Sequence, residues 1–420
     1  MSEWKEVTLA DLCTNISYGY TESATQEKIG PKFLRITDIA SERLEWSNVP
    51  HCPISDPNFE KYKLFPGDIV IARTGATTGA NYTVKESDPK DVVFASYLIR
   101  YKINKEIADP YFIGQLLKSP NWSDYVDAIA GGSAQPGANA KQLGSFEISL
   151  PPLDTQKSIA SILSSLDDKI DLLHRQNATL EKMAETLFRQ WFVEPIKKIA
   201  NEGTEVEGFS NSKFGKWIKE TVGGEWGKEN SEGDFNKVVY CIRGTDIADL
   251  NTGLPEKTPI RFVKPAKFKN IEPLEGDLIL EISGGTESQS TGRVCYINQD
   301  IKRLFKHPLI FSNFCRMIRV KKSEYSFFLY CYIQYLYNQD EFFNLENGSS
   351  GIKNLDYKAL LFELDYPMPN ENLVLDFHLQ VEPLFKKVNQ NKKQIRTLIA
   401  LRDTLLPKLM SGEVRVENDV

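Results

Sequence analysis

Side chains able to make directional hydrogen bonds collect in a few Gly-containing stretches of the chain. Arg73-Thr74-Gly75 is followed by Thr77 and Thr78, and Gly132-Ser133-Ala134-Gln135 comes later. A second set runs from Ser283 through Ser288 and Gln289 to Thr291, with Gly348-Ser349-Ser350 beyond it. An arginine fork can bond the two acceptors on a guanine edge, and Asn or Gln the donor and acceptor on an adenine. Lys264, Lys267, Lys269, Lys302, Lys321 and Lys322 are point charges suited to phosphate. Each loop residue taken singly is also what a turn requires, and Gly67 and Gly276 read as turn residues. Residues 257–322 hold 13 basic and 6 acidic side chains, a local +7 inside a chain of net charge −6. A basic patch can coexist with an acidic total, although such a run is also what a solvated face looks like.

Catalytic spacings are missing. Asp56-Pro57-Asn58-Phe59 approaches the Asn/Asp-Pro-Pro-aromatic tetrapeptide with which methyltransferases hold an amino group, but its third position is Asn. No Gly-x-Gly turn follows a strand nearby to hold a methyl donor. Gly75-Ala-Thr-Thr-Gly79 and Ser283-Gly284-Gly285 lack the Lys-Ser/Thr of a phosphate-binding loop. No H-E-x-x-H or G-x-S-x-G occurs. The four histidines have no i, i+4 pair, and His51-Cys52 is the only metal-like neighbour pair, so no metal site is expected.

A length of 420 residues, 41% hydrophobic and 26% charged, fits two or three globular domains. No basic stub followed by an apolar run opens the chain, and no apolar stretch reaches the roughly 18 residues of a membrane span. Six cysteines without a C-x-x-C pair read as free buried thiols, which places the chain in a reducing cytoplasm.

The elements that must position the loops come twice. FLRITDI (33–39) matches CIRGTDI (241–247), and LFPGDIVIARTG (64–75) matches PLEGDLILEISG (273–284). Residues 132–152 match 348–368, with Tyr111 and Phe112 falling on Phe327 and Phe328, and 166–188 match 384–406. The offset drifts one way, from 208 to 218, as in a tandem duplication and unlike chance matches. Arg35 and Arg243 recur in the shared Arg-x-Thr-Asp-Ile, and a residue kept in both copies reads as structural.

Within one copy, Lys32–Ile36, Ile69–Ala72, Val92–Ile103 and Phe146–Leu150 read as strands, and Pro110 opens a helix. A long helix follows, with Ile159, Leu163, Leu166, Ile170, Leu173, Leu180, Ala184, Leu187 and Trp191 on a seam of alternating four and three. Asn177 fills a seam position. The second copy carries Leu384, Val388, Ile395, Leu398, Leu405 and Leu409, with Asn391 and Arg402 in the remaining slots. Each helix alone could be an ordinary amphipathic helix, but two in a duplicated chain can pack on each other. Pro195 is expected to end the first helix, and the polar 196–216 to be a linker.

These residues resemble a known family. WKEVTLADL (4–12), FLRITDI, PGDIVIARTG (66–75) and LPPLDTQKSIASILSSLDDKI (150–170) are similar to the first half of type I restriction–modification specificity subunits. GDLIL (276–280) and LRDTLLPKLMSGE (401–413) are similar to the second half. The second copy departs in having Glu281-Ile282-Ser283-Gly284 where the first has Ala72-Arg73-Thr74-Gly75, and in lacking a proline-plus-glutamine start to its helix. The resemblance implies an α+β chain of two homologous target-recognition domains, 1–152 and 217–369, separated by two long antiparallel coiled-coil helices. Those helices, 153–195 and 370–420 with its tail, would form a spacer, with 196–216 as linker. It further implies a double-stranded DNA site read in two halves, and two modification subunits that carry S-adenosylmethionine and methylate adenine. Restriction subunits using ATP and Mg would join them, with no cofactor on this chain and no membrane. Two rival expectations are a methyltransferase built around Asp56–Phe59 and a coiled-coil interaction protein without a DNA role.

Overall fold

The computed structural model describes residues 4–40, 44–130, 137–252, 257–286, 289–348 and 353–414. The chain forms two compact units, residues 1–172 with 395–420, and residues 173–394. Both cuts fall inside long helices, Leu153–Phe188 and Glu371–Met410, so each unit contains a stretch of each.

The first unit has strands β1 (Lys5–Thr8), β2 (Cys13–Tyr18), β3 (Lys32–Leu34), β4 (Asp68–Ala72), β5 (Asn81–Thr83), β6 (Val92–Phe94), β7 (Leu98–Ile103) and β8 (Glu147–Leu150). The main sheet is antiparallel in the order β2-β7-β4-β5, β3 and β6 pair in parallel, and β1 pairs antiparallel with β8. Asp68-Ile-Val-Ile-Ala72 is buried at every position because β4 is flanked by β7 and β5.

The second unit has β9 (Phe209–Ser212), β10 (Ile218–Gly223), β11 (Lys237–Ile242), β12 (Ile260–Val263), β13 (Leu278–Glu281), β14 (Ser283–Gly284), β15 (Val294–Tyr296), β16 (Leu309–Phe311), β17 (Cys315–Val320), β18 (Glu346–Asn347), β19 (Lys353–Leu355) and β20 (Tyr366–Pro369). Its main sheet, β10-β17-β13-β15, repeats the first unit's order. The parallel pair recurs as β11 and β16, with β12 added, and the terminal pair as β9 and β20. The sheet β14-β19-β18 has no counterpart among the described residues of the first unit.

Small devices repeat as well. Gly67 and Gly276 both take φ +91°, turning the chain into β4 and β13. The next residue then closes the turn: Asp68 accepts the Phe65 N–H at 3.0 Å, and Asp277 that of Leu274 at 2.7 Å. Arg35 and Arg243 each form a fork to the aspartate three residues on, Asp38 and Asp246, and so have the structural role their duplication suggested.

Within each unit the long helices run antiparallel. In the second unit Asn177 meets Asn391, Glu181 lies 3.8 Å from Lys392, and Trp191 lies 6.2 Å from Phe377. In the first unit Asp167 accepts from Arg402 at 3.1 Å, and Ile159 and Leu163 share a core with Leu406 and Leu409.

Three local expectations are corrected. The run Lys32–Ile36 is strand only to Leu34, because Ile36–Ile39 forms a helical turn capped by Arg35 and Asp38. Pro195 does not end the first helix. A π turn, Arg189–Val193, shifts the bonding so that the Glu194 N–H reaches the Arg189 carbonyl, and Glu194–Glu202 stays helical past the proline. Phe192, Val193 and Ile196 are buried with Phe214, which rewards the continuation. The stretch 196–216 is therefore not a structureless linker, since it holds most of that helix and β9. Among the described residues no helix is long and apolar enough to cross a membrane, and no cluster of His, Cys, Asp and Glu is arranged to hold a metal ion.

Candidate nucleic-acid interface

Arg73 follows β4 directly. Its N–H donates to the Tyr97 carbonyl at 3.1 Å, and its own carbonyl accepts from Ala138 at 2.9 Å. Its guanidinium lies 5.1 Å from the Tyr18 ring centre, and its Nε is buried without a hydrogen-bond partner. Thr74 forms a β-bridge with Gly137. The end of β4, the turn at Tyr97 and the segment at 137–140 thus converge on Arg73, and Tyr18 joins them by accepting the Ala140 N–H at 3.2 Å. Thr78 serves the turn itself, donating to Gly75 O at 2.7 Å, and Thr77 is half-buried beside it. The Gly79 carbonyl accepts the Trp122 indole N–H at 2.8 Å, so Gly75–Gly79 is a built turn pinned to a helix.

The second unit places Ile282 where the first has Arg73: its N–H donates to Phe314 O at 2.9 Å. Ser283 lies in β14, and its hydroxyl donates to Asn354 Oδ1 at 2.7 Å. Gln289 donates to the Tyr337 hydroxyl at 3.3 Å. Glu281, the residue that breaks the match to Ala72, is fully buried and accepts both arms of the Arg293 fork at 2.9 and 2.7 Å. Hydrogen bonding to Glu281 raises the basicity of Arg293 above its ordinary value, against the opposing effect of burial. Ser133, Gln135, Ser288, Ser349 and Ser350 lie outside the described residues.

The basic run 257–322 is largely engaged within the unit. Lys302 donates to Pro273 O at 3.0 Å, Lys321 to Lys216 O at 2.8 Å, and Lys322 pairs with Glu371. Arg319 pairs with Asp277 and Glu220. Lys264 precedes the helix Pro265–Ile271, 3.6 Å from Asp234 and over the Phe235 ring. Lys267 and Lys269, on that helix, are exposed and have no ion pair among the described residues. Of the proposed phosphate contacts, these two are the freest, while Lys302 is a structural clamp.

The helix-pairing residues separate by depth. Ile170, Leu173, Asn177, Val388, Asn391 and Ile395 are buried, and Leu166, Leu180, Leu187, Leu384, Leu398 and Leu405 half-buried. Asp56–Phe59 has an ordinary local explanation: it opens the surface helix Asp56–Tyr62, and Phe59 packs beside Cys52. All six cysteines are free, four of them buried.

Sequence reading passed over Tyr18, Tyr97 and Phe314, which stand 42%, 58% and 47% exposed around these segments. An aromatic reads as core. The available signal was the repeat, since Ala-Ser-Tyr-Leu (95–98) falls on Ser-Asn-Phe-Cys (312–315).

Comparison with known proteins bears on this arrangement. Residues 1–182 match the family model described as the type I restriction modification DNA specificity domain. The type I restriction enzyme MjaIX specificity subunit of Methanocaldococcus jannaschii is 28% identical over 374 residues, 84% of this chain and 76% of that protein. The HindI specificity subunit of Haemophilus influenzae is 22% identical over 469 residues, 99% of this chain and 100% of that protein. Among solved structures, the S subunit of a type I restriction-modification system from M. genitalium aligns with a TM-score of 0.59 at 17% identity, covering 97% of this chain and 96% of that one. At that identity the likeness is one of fold.

Proposed function

We propose that this chain is a specificity subunit of a type I restriction–modification system and reads a bipartite, asymmetric DNA site, one half with each unit. The observation that carries this reading is the module built twice with unlike residues at matching places: Arg73 beside the Tyr97 turn, Ile282 beside the Phe314 turn. Two-fold readers match DNA half-sites, and a duplicated chain does so without dimerising. Divergent modules then accept unlike half-sites. The chain net charge of −6 is compatible with this because exposed lysines such as Lys267 and Lys269 act locally.

On this reading the paired long helices act as the spacer between half-sites and as the seat for two modification subunits and the restriction subunits. S-adenosylmethionine, ATP and Mg belong to those partners, and the chain has no catalysis of its own. A cytoplasmic setting belongs to the same reading.

The test is a single-molecule methylome of the host with and without the gene. Loss of one bipartite N6-methyladenine motif on deletion is the expected result. An unchanged methylome, with the gene and a neighbouring methyltransferase both expressed, would favour an interaction protein without a DNA role.

A further inference from the structure

Each unit turns from its parallel pair into its main sheet through one tight turn. In the first unit the Leu98 N–H closes on Ala95 O at 2.9 Å, and in the second the Cys315 N–H closes on Ser312 O at 3.0 Å. Both turns are seated against a glycine. A Cβ on Gly19 would stand 2.2 Å from Ala95 O, and one on Gly224 2.1 Å from Ser312 O, so any other residue would push the turn away. The third residue of each turn is an aromatic directed into solvent, Tyr97 or Phe314. Its carbonyl receives the N–H of the residue that follows β4 or β13, Arg73 or Ile282.

A single exposed aromatic is ordinary. Two at one position of a duplicated module, on a turn fixed by a shared glycine, call for a shared cause. Packing does not supply it, because the rings are 58% and 47% exposed. What the two side chains have in common is a flat apolar ring, since only Tyr97 has a hydroxyl. What lies next to them differs, arginine in one unit and isoleucine in the other.

We propose that Tyr97 and Phe314 are wedge residues: each ring inserts at a base step of its own half-site and anchors the module there without choosing the base. This rests on the DNA-reading function above. Apolar side chains enter base steps in this way, and ring–base stacking tolerates every base because every base has a π-face. Sequence choice then falls to the residues that diverge between the units.

The test uses the full chain assembled with its modification subunits. The probe is a duplex bearing the motif found in the methylome, with 2-aminopurine stepped through each half-site. Apart from the target adenine, which a methyltransferase itself extrudes, the intact complex should brighten 2-aminopurine at one further step per half-site, as unstacking does. Tyr97→Ala should abolish the signal in one half only, Phe314→Ala in the other, and each should weaken binding roughly 10- to 100-fold. Tyr97→Phe should bind like the parent, and the methylated motif should keep its sequence in all three. Unchanged thermal midpoints would confirm that the variants fold. Full affinity in Tyr97→Ala, equal loss in Tyr97→Phe, or an altered motif would overturn the wedge. If the intact complex fails to prefer the motif over a scrambled duplex, the DNA-reading function itself fails, which is a separate result.

Discussion

Asn391 donates its side-chain amide to Oδ1 of Asn177 at 2.9 Å, and both residues are buried on the seam between the long helices. The same amide reaches Gln176 at 3.3 Å, while Asn391 Oδ1 has no partner. A buried polar pair of this kind costs stability and fixes register. Asn391→Ala should destabilise the protein by about 1–2 kcal/mol because it strands Asn177. Asn177→Leu with Asn391→Leu should instead raise the urea midpoint. A double variant as unstable as the single one would show that the pair is a net stabiliser.

Asp167 accepts from Gln115 at 2.7 Å, Lys118 at 3.1 Å and Arg402 at 3.1 Å. Burial opposes its ionisation, but Lys118 and the hydrogen bonds outweigh it and hold its pKa below the ordinary 3.8. A carboxylate with a depressed folded pKa contributes stability above its unfolded value and loses it as pH falls through the folded one. Asp167→Asn should therefore cost about 1–3 kcal/mol at neutral pH. The gap from the parent should narrow only below about pH 4, as unfolding curves taken from pH 7 to pH 3 would record.

Glu281 and Arg293 form a buried fork in the second unit. Glu281→Ala leaves a partly buried guanidinium unpaired and should cost about 3–5 kcal/mol. Glu281→Ala with Arg293→Met should recover most of that loss. Equal instability of the two variants in denaturant titrations would mean that Glu281 acts by accepting the Gly292 and Arg293 backbone N–H groups rather than through the ion pair.

Lys267 and Lys269 should behave as phosphate contacts. Replacing either by alanine should weaken DNA binding about equally for all sequences and reduce the salt slope, d log K/d log [salt], by about one. An unchanged slope would remove that lysine from the interface.

Seven residues inserted into each long helix, in register, add roughly 10 Å of helix. If the helices set the spacing, the unread gap in the methylated motif should widen by about three base pairs, at roughly 3.4 Å each. The same gap in the variant's methylome would rule out the spacer role.

The duplication made most of the fold legible. Arg-x-Thr-Asp-Ile and the Gly-Asp turn each announced a device that the structure builds twice, and the alternating seam announced the helix pair. The residues that misled were those whose surroundings come from distant sequence. Pro195 reads as a stop until Phe192, Ile196 and Phe214 are seen packed together, and Ser283 reads as loop until β19 arrives beside it. Lys302, which the sequence offers as a phosphate contact, is seen to donate to Pro273 O beside Glu272 only once the fold brings them together. Tyr97 and Phe314 were hidden for the opposite reason, since exposure of an aromatic has no local signature.

The second unit is continuous in sequence, from 173 to 394, whereas the first is closed by residues from 395 onward. Leu406 and Leu409 complete a core that otherwise contains Leu12, Ile71, Phe112 and Leu163. During synthesis the usual order, in which the part made first folds first, is therefore reversed. The unit that leaves the ribosome second has all its residues while the earlier one still presents an open apolar face. The half-finished unit must stay unaggregated until the last turns of the second long helix emerge, so the chain's quality is settled only once both units have been made.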